Sequence, residues 1–342
     1  MSVQTTPPLG VLVSSEVARI AGEQIQTAFK QTGLQSQLII LSPHDPLTEA
    51  HMQGIHCALM SVDLIGNSSK HTLDPYFQNF VDMVMQAPQL RWLQVCSAGM
   101  DRSFFKTLFM RSVKLTSGAG SNSHAVAQTA ITGILAISRK VPQWIEQQKE
   151  KKWLPIRGNL TPVALEGQQA VIVGMGEIGQ QIARILNAMD VKVIGVRRTP
   201  GKTPYFHEEV GDGELDRVIS IADWLIIACP LTERTHHLIN TRRLSLMKPE
   251  AIIVNIARGD VIDEQALISA LNQKQIAGAY LDVFSMEPLS SDSPLWAMPQ
   301  VLISPHFAGN STAHQRNIID LFIQNIPKFV SGHPMKNEWS GP

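Results

Sequence analysis

Three segments carry residue types able to hold an anion and move a proton: Asn255-Ile256-Ala257-Arg258-Gly259, Asp282 to Leu289 with Glu287 inside it, and Ser304-Pro305-His306. Each follows a short apolar stretch, so each falls at the C-terminal end of a strand, the edge where doubly wound folds place chemistry. Taken singly, Arg258 could pair with a surface carboxylate, Glu287 could begin a loop and His306 could cap a helix. Together they meet the demands of reducing a 2-keto acid. A fixed guanidinium holds the substrate carboxylate and polarises the neighbouring carbonyl. As hydride arrives, the carbonyl oxygen becomes an alkoxide and needs a proton. An imidazolium suits that task near neutral pH, and a carboxylate beside an imidazolium favours its charged form.

Hydride needs a carrier, and Gly174-Met175-Gly176-Glu177-Ile178-Gly179 offers a place for one. The run follows the apolar strand AVIV and opens a helical pattern, as a dinucleotide fingerprint requires. Gly174 would make the tight turn, Gly176 would admit the pyrophosphate and Gly179 would let helix and strand pack closely, with helix amides aimed at the phosphates. About 20 residues on, NAD enzymes place an acid against the ribose 2′-hydroxyl. Here the strand VKVIGV runs into Arg197-Arg198-Thr199 with no acid in place. Two guanidinium groups and a hydroxyl would hold a 2′-phosphate, so NADP(H) is the expected cofactor, with NAD(H) possible.

The elements that must position these groups read as two α/β units. From Leu9, LGVLVSS, SQLIILS, HCALMS and LRWLQVCSAG are strands. Between them, Glu16 to Lys30 has helical spacing, with Val17, Ile20, Ile25 and Phe29 on one face. From Gln169, six further strands come in series (AVIVG, VKVIGV, WLIIAC, AIIVNI, AGAYL, VLIS), with Asp263 placed to cap the helix DEQALISALN. Short apolar strands alternating with helices imply parallel sheets covered on both faces. Ser123 to Val141 is apolar almost all round and reads as a buried helix, whereas Pro142 to Glu166 reads as a surface excursion. A last helix spans roughly Ser311 to Val330, with Ile318, Ile319, Phe322, Ile326 and Phe329 on one face.

Composition excludes several classes. The 342 residues suffice for two domains, and 44% hydrophobic with 17% charged residues is a soluble globular profile. Lys plus Arg equals Asp plus Glu at 29 each, which speaks against nucleic acid or an anionic membrane as partner. No apolar run approaches the ~20 residues of a membrane helix. MSVQTTPPLG has no secretory pattern. Cys57, Cys96 and Cys229 sit in apolar runs as core residues, without a disulfide framework or metal-ligand pattern. The expected setting is cytoplasmic.

Several motifs in order make the chain similar to the D-isomer-specific 2-hydroxyacid dehydrogenase family, from about Leu93 to the last helix. They are LEGQQAVIVGMGEIGQQIA, Cys229-Pro230-Leu231-Thr232 with Thr235, PLWAMPQVLISPHFAG and the segments that carry Arg258, Glu287 and His306. The resemblance implies two doubly wound parallel-sheet domains, a Rossmann cofactor domain inserted into a flavodoxin-like substrate domain. Residues 1–120 would begin the substrate domain, 121–305 would form the Rossmann domain, and 306–342 would return to the first. It implies that Arg258 binds the substrate carboxylate and keto oxygen, that His306 is the acid/base with Glu287 oriented against it, and that Ser97-Ala98-Gly99 grips the carboxylate through backbone amides. Cys229, Pro230, Thr235, Ile256 and Ala257 would line the cofactor, with Asp282 on the nicotinamide carboxamide and His306 beside the ring. A homodimer is implied too. Gln128 stands where the family more often has Glu, in a helix read as dimer or hinge packing.

Formate dehydrogenases of this architecture have Gln where Glu287 stands, which counts against that activity. A dinucleotide-sensing corepressor of the same fold keeps all three residues, but short termini without charged tails speak against it. The resemblance to glyoxylate/hydroxypyruvate reductases rests on the two arginines and makes a small keto acid the first expectation, ahead of larger ones such as phenylpyruvate. The substrate wall would come from His44 to Pro46, Met60 to Ile65 and Ser97 to Arg102. Met60 and Leu64 could form an apolar wall or ordinary core, and Arg102 could meet a second acidic group or simply be solvated.

Overall fold

The computed structural model describes residues 7–43, 48–66, 68, 72–158 and 161–341. His44 to Pro46 lie outside the described residues. The chain divides into two compact units, Met1–Asn122 with Ser311–Pro342, and Ser123–Asn310.

The first unit runs β1 (Leu9–Ser14), α1 (Ser15–Gln31), β2 (Ser36–Leu41), α2 (Glu49–Gln53), β3 (Ile55–Met60), α3 (Val62–Ile65), α4 (Pro75–Gln86), β4 (Trp92–Val95), α5 (Ser103–Met110) and β5 (Lys114–Thr116). All pairs are parallel and the order is β2-β1-β3-β4-β5, the flavodoxin-like winding. Ser14 ends β1 and caps α1, its hydroxyl accepting from the Val17 amide at 3.1 Å. The buried face of α1 carries Val17, Ala21, Ile25, Ala28 and Phe29. Ile20, expected on that face, is 40% exposed because the helical turn carries it away from the centre of this stripe. Met60 and Leu64 are core, so the apolar-wall reading of them falls.

The second unit runs α6 (Ser123–Ser138), α7 (Val141–Lys149), β6 (Gln169–Val173), α8 (Glu177–Asn187), β7 (Lys192–Val196), β8 (Glu208–Val210), α9 (Leu215–Ile219), β9 (Trp224–Ile227), α10 (Thr241–Leu244), β10 (Ile252–Asn255), α11 (Glu264–Asn272), β11 (Gly278–Leu281) and β12 (Val301–Ile303). Its sheet is seven parallel strands in the order β12-β11-β10-β9-β6-β7-β8, a Rossmann winding with one strand added beyond the sixth. The sequence gives six. The strand that the sequence pattern does not show is β8, in third place of the Rossmann winding, whose two glutamates and three-residue length leave no apolar pattern to read. Asp263 caps α11 as expected, accepting from the Ala266 amide at 3.1 Å. The helix α6 is not buried all round: His124, Gln128 and Thr132, spaced by four, form an exposed stripe. After it, α7 buries nothing, and Trp144 and Trp153 stand 48% and 93% exposed.

The chain returns to the first unit with α12 (His314–Ser331). Phe322 stacks on Trp92 with ring centres 4.5 Å apart, and burial of such rings contributes about 1.5–3 kcal/mol each. Asn325, fully buried, accepts from the Lys336 amide at 2.8 Å and donates to the Lys336 carbonyl and the Gln94 side chain, so its amide is satisfied. The sequence sets the domain breaks at 120/121 and 305/306, whereas the units change at 122/123 and 310/311. His306 therefore belongs to the second unit, because the backbone after it is tied to Asp282 of β11's end. No helix among the described residues is long and apolar enough to cross a membrane.

Candidate active site

The neighbours β10, β11 and β12 run parallel, and their C-terminal ends release Arg258, Glu287 and His306 in turn. Three short loops of one sheet edge thus bring together residues far apart in sequence.

Arg258 stands in a loop that Asn255 staples shut. The Asn255 side chain accepts from the Ala257 amide at 3.1 Å and donates to the Arg258 carbonyl at 3.0 Å. Buried to 1% exposure and so engaged, Asn255 fixes the departure of the chain from β10. Gly259 comes next. A Cβ there would fall 1.9 Å from the Phe284 carbonyl carbon, so only glycine lets the Arg258 loop lie against the segment leading to Glu287. Ile256 and Ala257 are buried under this turn.

Glu287 points one carboxylate oxygen at the Phe284 amide, 3.0 Å away, and the other at His306 Nδ1, 2.6 Å away. Its side chain is 17% exposed and that of His306 is 45% exposed, so the pair is anchored on its carboxylate side and open on its imidazole side. His306 has φ +50°, a conformation costing a non-glycine residue of order 1–3 kcal/mol, which surrounding bonds must hold. They do. Its amide donates to the carbonyls of Asp282 at 2.8 Å and Ser304 at 3.0 Å. The Asp282 carboxylate accepts from the Ser304 hydroxyl at 2.6 Å and from the amides of Phe307 and Ala308 at 3.1 Å each.

Behind that carboxylate lies a chain the sequence reading missed. With its proton committed to Asp282, the Ser304 hydroxyl accepts from the Tyr280 phenol at 2.8 Å. Burial pushes the Tyr280 phenol up to about 12, so it stays a donor at ordinary pH. A Tyr after two small residues in the strand Gly278–Leu281 was the available signal.

The glycine turn has the geometry of a phosphate cradle. Gly174 has φ +107°, and a Cβ on it would fall 2.6 Å from the Ala228–Cys229 backbone. Gly176, at the N-terminal cap of α8, has no heavy atom within 4 Å of a built Cβ, leaving open space in front of the helix amides. A Cβ on Gly179 would fall 2.1 Å from the Gly174 carbonyl oxygen, so the helix packs directly on the turn. These features fit a dinucleotide pyrophosphate. Met175 is buried, its sulfur over Gly195 of β7, while Glu177 is exposed and Ile178 partly buried in the first turn of α8. Cys229 is buried where β9 ends, and burial raises its thiol to about 11. The Thr235 hydroxyl donates to the Pro230 carbonyl at 2.7 Å and so braces its own turn.

Arg197 is partly buried at the end of β7, whereas Arg198 and Thr199 are exposed beside it. Glu209 of β8 reaches the same loop, 3.4 Å from Arg197, and no strand pattern had drawn attention to it. Ser97, Ala98 and Gly99 belong to the first unit, after β4, where the Ser97 hydroxyl donates to the Gly99 carbonyl at 2.9 Å and Ala98 is exposed. Arg102 is not a solvated surface arginine. Its guanidinium lies 4.9 Å over the Phe77 ring, and burial lowers its pKa.

A family model for the D-isomer specific 2-hydroxyacid dehydrogenase NAD binding domain matches residues 131–308. The glyoxylate reductase of Thermofilum pendens is 34% identical over 256 residues, covering 72% of this chain and 74% of that one. Glyoxylate/hydroxypyruvate reductase B of Escherichia fergusonii is 32% identical over 295 residues, covering 81% and 90%. An NADPH-dependent glyoxylate/hydroxypyruvate reductase of Sinorhizobium meliloti, solved with NADP and malonate, superposes with a TM-score of 0.73 at 25% identity, covering 98% and 97%.

Proposed function

The chain belongs to the D-isomer specific 2-hydroxyacid dehydrogenase family, and from that premise we propose that it reduces glyoxylate or hydroxypyruvate with NADPH to the D-2-hydroxy acid. The observation that carries this reading is the His306–Glu287 pair at 2.6 Å, on the sheet edge that also presents Arg258. The names of the relatives support a small 2-keto acid, and the solved reductase with NADP supports the phosphorylated cofactor.

When bound at the glycine turn, the reduced nicotinamide cofactor supplies hydride to the keto carbon. The work of this chain's residues surrounds that event. Arg258 holds the substrate carboxylate and draws electron density toward the keto oxygen. Glu287 accepts a hydrogen bond from His306 Nδ1, which leaves Nε2 to face the substrate as the acid. That nitrogen delivers its proton to the developing alkoxide, so hydride plus proton turn the keto group into an alcohol. Asp282, assigned to the nicotinamide carboxamide, also fixes the strained backbone of His306. Cys229, Pro230, Thr235, Ile256 and Ala257 shape the cofactor wall, and Arg197, Arg198 and Thr199 receive the 2′-phosphate.

The exposed Trp144, Ile145, Trp153 and Leu154 form the kind of apolar surface that marks a protein contact, and they support a homodimer. Three buried free thiols fit a cytoplasmic setting. The test is loss of NADPH absorbance, then NADH, across a panel of 2-keto acids. Rapid oxidation of NADPH by glyoxylate or hydroxypyruvate is expected. Binding of NADPH without turnover of any keto acid would favour a dinucleotide sensor instead.

A further inference from the structure

We propose that Glu209 is a positioning residue for cofactor choice: its carboxylate shapes the loop from Arg197 to Thr203 into a site for the 2′-phosphate. This rests on the NADPH reading above and adds a residue to it.

Glu209 lies in the middle of β8, the edge strand paired in parallel with β7. Its side chain is only 6% exposed although the strand is at the rim of the sheet. Oε2 accepts from the Gly201 amide at 2.8 Å, and Oε1 accepts from the Thr203 amide. Arg197 adds a guanidinium nitrogen 3.4 Å from Oε2. One carboxylate thus gathers three positions of a loop that has no helix or strand of its own. Burial alone would raise the Glu209 carboxyl, but Gly201, Thr203 and Arg197 together hold it below its ordinary value.

Gly201 completes the arrangement. A Cβ there would fall 2.1 Å from an Arg197 terminal nitrogen, so the guanidinium rests directly on the glycine. The Arg197–Glu209 contact is a single one at 3.4 Å, looser than a two-point pair. Arg197 is therefore anchored in place while its charge is only partly offset. Arg198 and Thr199, exposed on the same loop, are carried by the backbone that Glu209 organises.

Charge alone argues the opposite. A carboxylate near a 2′-phosphate repels it, and removing that carboxylate would strengthen NADPH binding. The two views separate by experiment. Binding of 2′,5′-ADP and of 5′-AMP is measured by calorimetry on the parent chain, Glu209→Ala, Glu209→Gln and Gly201→Ala, together with KM for NADPH and NADH. Glu209→Ala is expected to weaken 2′,5′-ADP and raise KM for NADPH about tenfold, while 5′-AMP affinity and KM for NADH move less than about twofold. Glu209→Gln, which keeps an acceptor for one amide, should restore part of the loss. Gly201→Ala displaces only the tip of Arg197 and should cut the preference severalfold even if Glu209→Ala folds poorly. Tighter 2′,5′-ADP binding in Glu209→Ala, or equal losses for both nucleotides, would overturn the proposal. A parent that binds both nucleotides alike would overturn the NADPH reading as well. A parent that prefers 2′,5′-ADP, with an unmoved ratio in the variants, would sink the Glu209 proposal alone.

Discussion

His306 Nδ1 stands 2.6 Å from Glu287 Oε2, and the other Glu287 oxygen is held by the Phe284 amide. The carboxylate is thus fixed before the imidazole meets it, and the ring orientation follows from a backbone bond three residues upstream. His306→Ala is expected to lower kcat by about 10²–10⁴-fold while the Kd for NADPH changes little. Glu287→Gln, which keeps the shape but removes the charge, should lower kcat at least about tenfold with the same cofactor affinity. Steady-state kinetics with fluorescence titration of NADPH decide it. Full activity in His306→Ala would remove that residue as the acid.

Gly259 is where the Arg258 loop and the Glu287 segment touch backbone to backbone. Because a Cβ would land 1.9 Å from the Phe284 carbonyl carbon, neither side can yield by a rotamer change. Gly259→Ala is expected to cost at least about 1–3 kcal/mol by overpacking and to lower kcat/KM, as both loops shift. Thermal unfolding and kinetics on the same preparation check this. A variant with parental Tm and activity would show that the two loops are not coupled there.

The parts of the site that can be read along the chain are those whose physics is local. Gly174, Gly176 and Gly179 stand out because a strand-to-helix turn needs them at fixed spacing, and Arg258, Glu287 and His306 because each follows an apolar strand. What escaped depends on partners distant in sequence. Gly259 looks like any loop glycine until Phe284 is placed against it. Ser304 and Tyr280 become a hydrogen-bonded chain only when β11 and β12 are side by side. Glu209 was hidden twice, on a strand too short and charged to have a period and opposite a loop defined only by pairing with β7. The placement of His306 in the second unit likewise follows from Asp282 bonds that no periodicity encodes.

The Tyr280 phenol donates to Ser304, Ser304 donates to the Asp282 carboxylate, and that carboxylate holds the Phe307 and Ala308 amides just after His306. Ser304→Ala leaves a buried phenol without its acceptor and removes the 2.6 Å donor from the carboxylate, at a cost of about 1–3 kcal/mol. The expected result is a severalfold fall in kcat with little change in KM for the keto acid, and recovery in Ser304→Thr. A lower Tm with unchanged kcat would leave this chain a purely structural role.

Arg197 and Arg198 follow β7 where an NAD enzyme has an acid. Reversing one charge and neutralising the other, as in Arg197→Asp with Arg198→Ala, should turn the preference toward NADH. The measured quantity is the ratio of kcat/KM for the two cofactors. A ratio equal to the parent's would end the 2′-phosphate assignment.

His314 opens α12 with its ring buried at 8% exposure and Nε2 3.2 Å from the Cys96 carbonyl oxygen, a contact that requires a proton on that nitrogen. Burial lowers its pKa, and the bond to Cys96 only partly opposes this. In the unfolded chain the ring titrates near the ordinary value of about 6.5. Below that pH the unfolded state binds more protons than the folded state, so stability falls as pH drops through 6.5 and levels off below the lowered folded value. His314→Gln keeps a donor for the Cys96 carbonyl and cannot titrate in this range. Its stability should therefore decline less than the parent's between about pH 7.5 and 5.5. Hydrogen exchange of the α12 amides at each pH reads this locally, without assuming that both units unfold together. Parallel pH curves for the two proteins would show that His314 is not the group that weakens the first unit in acid.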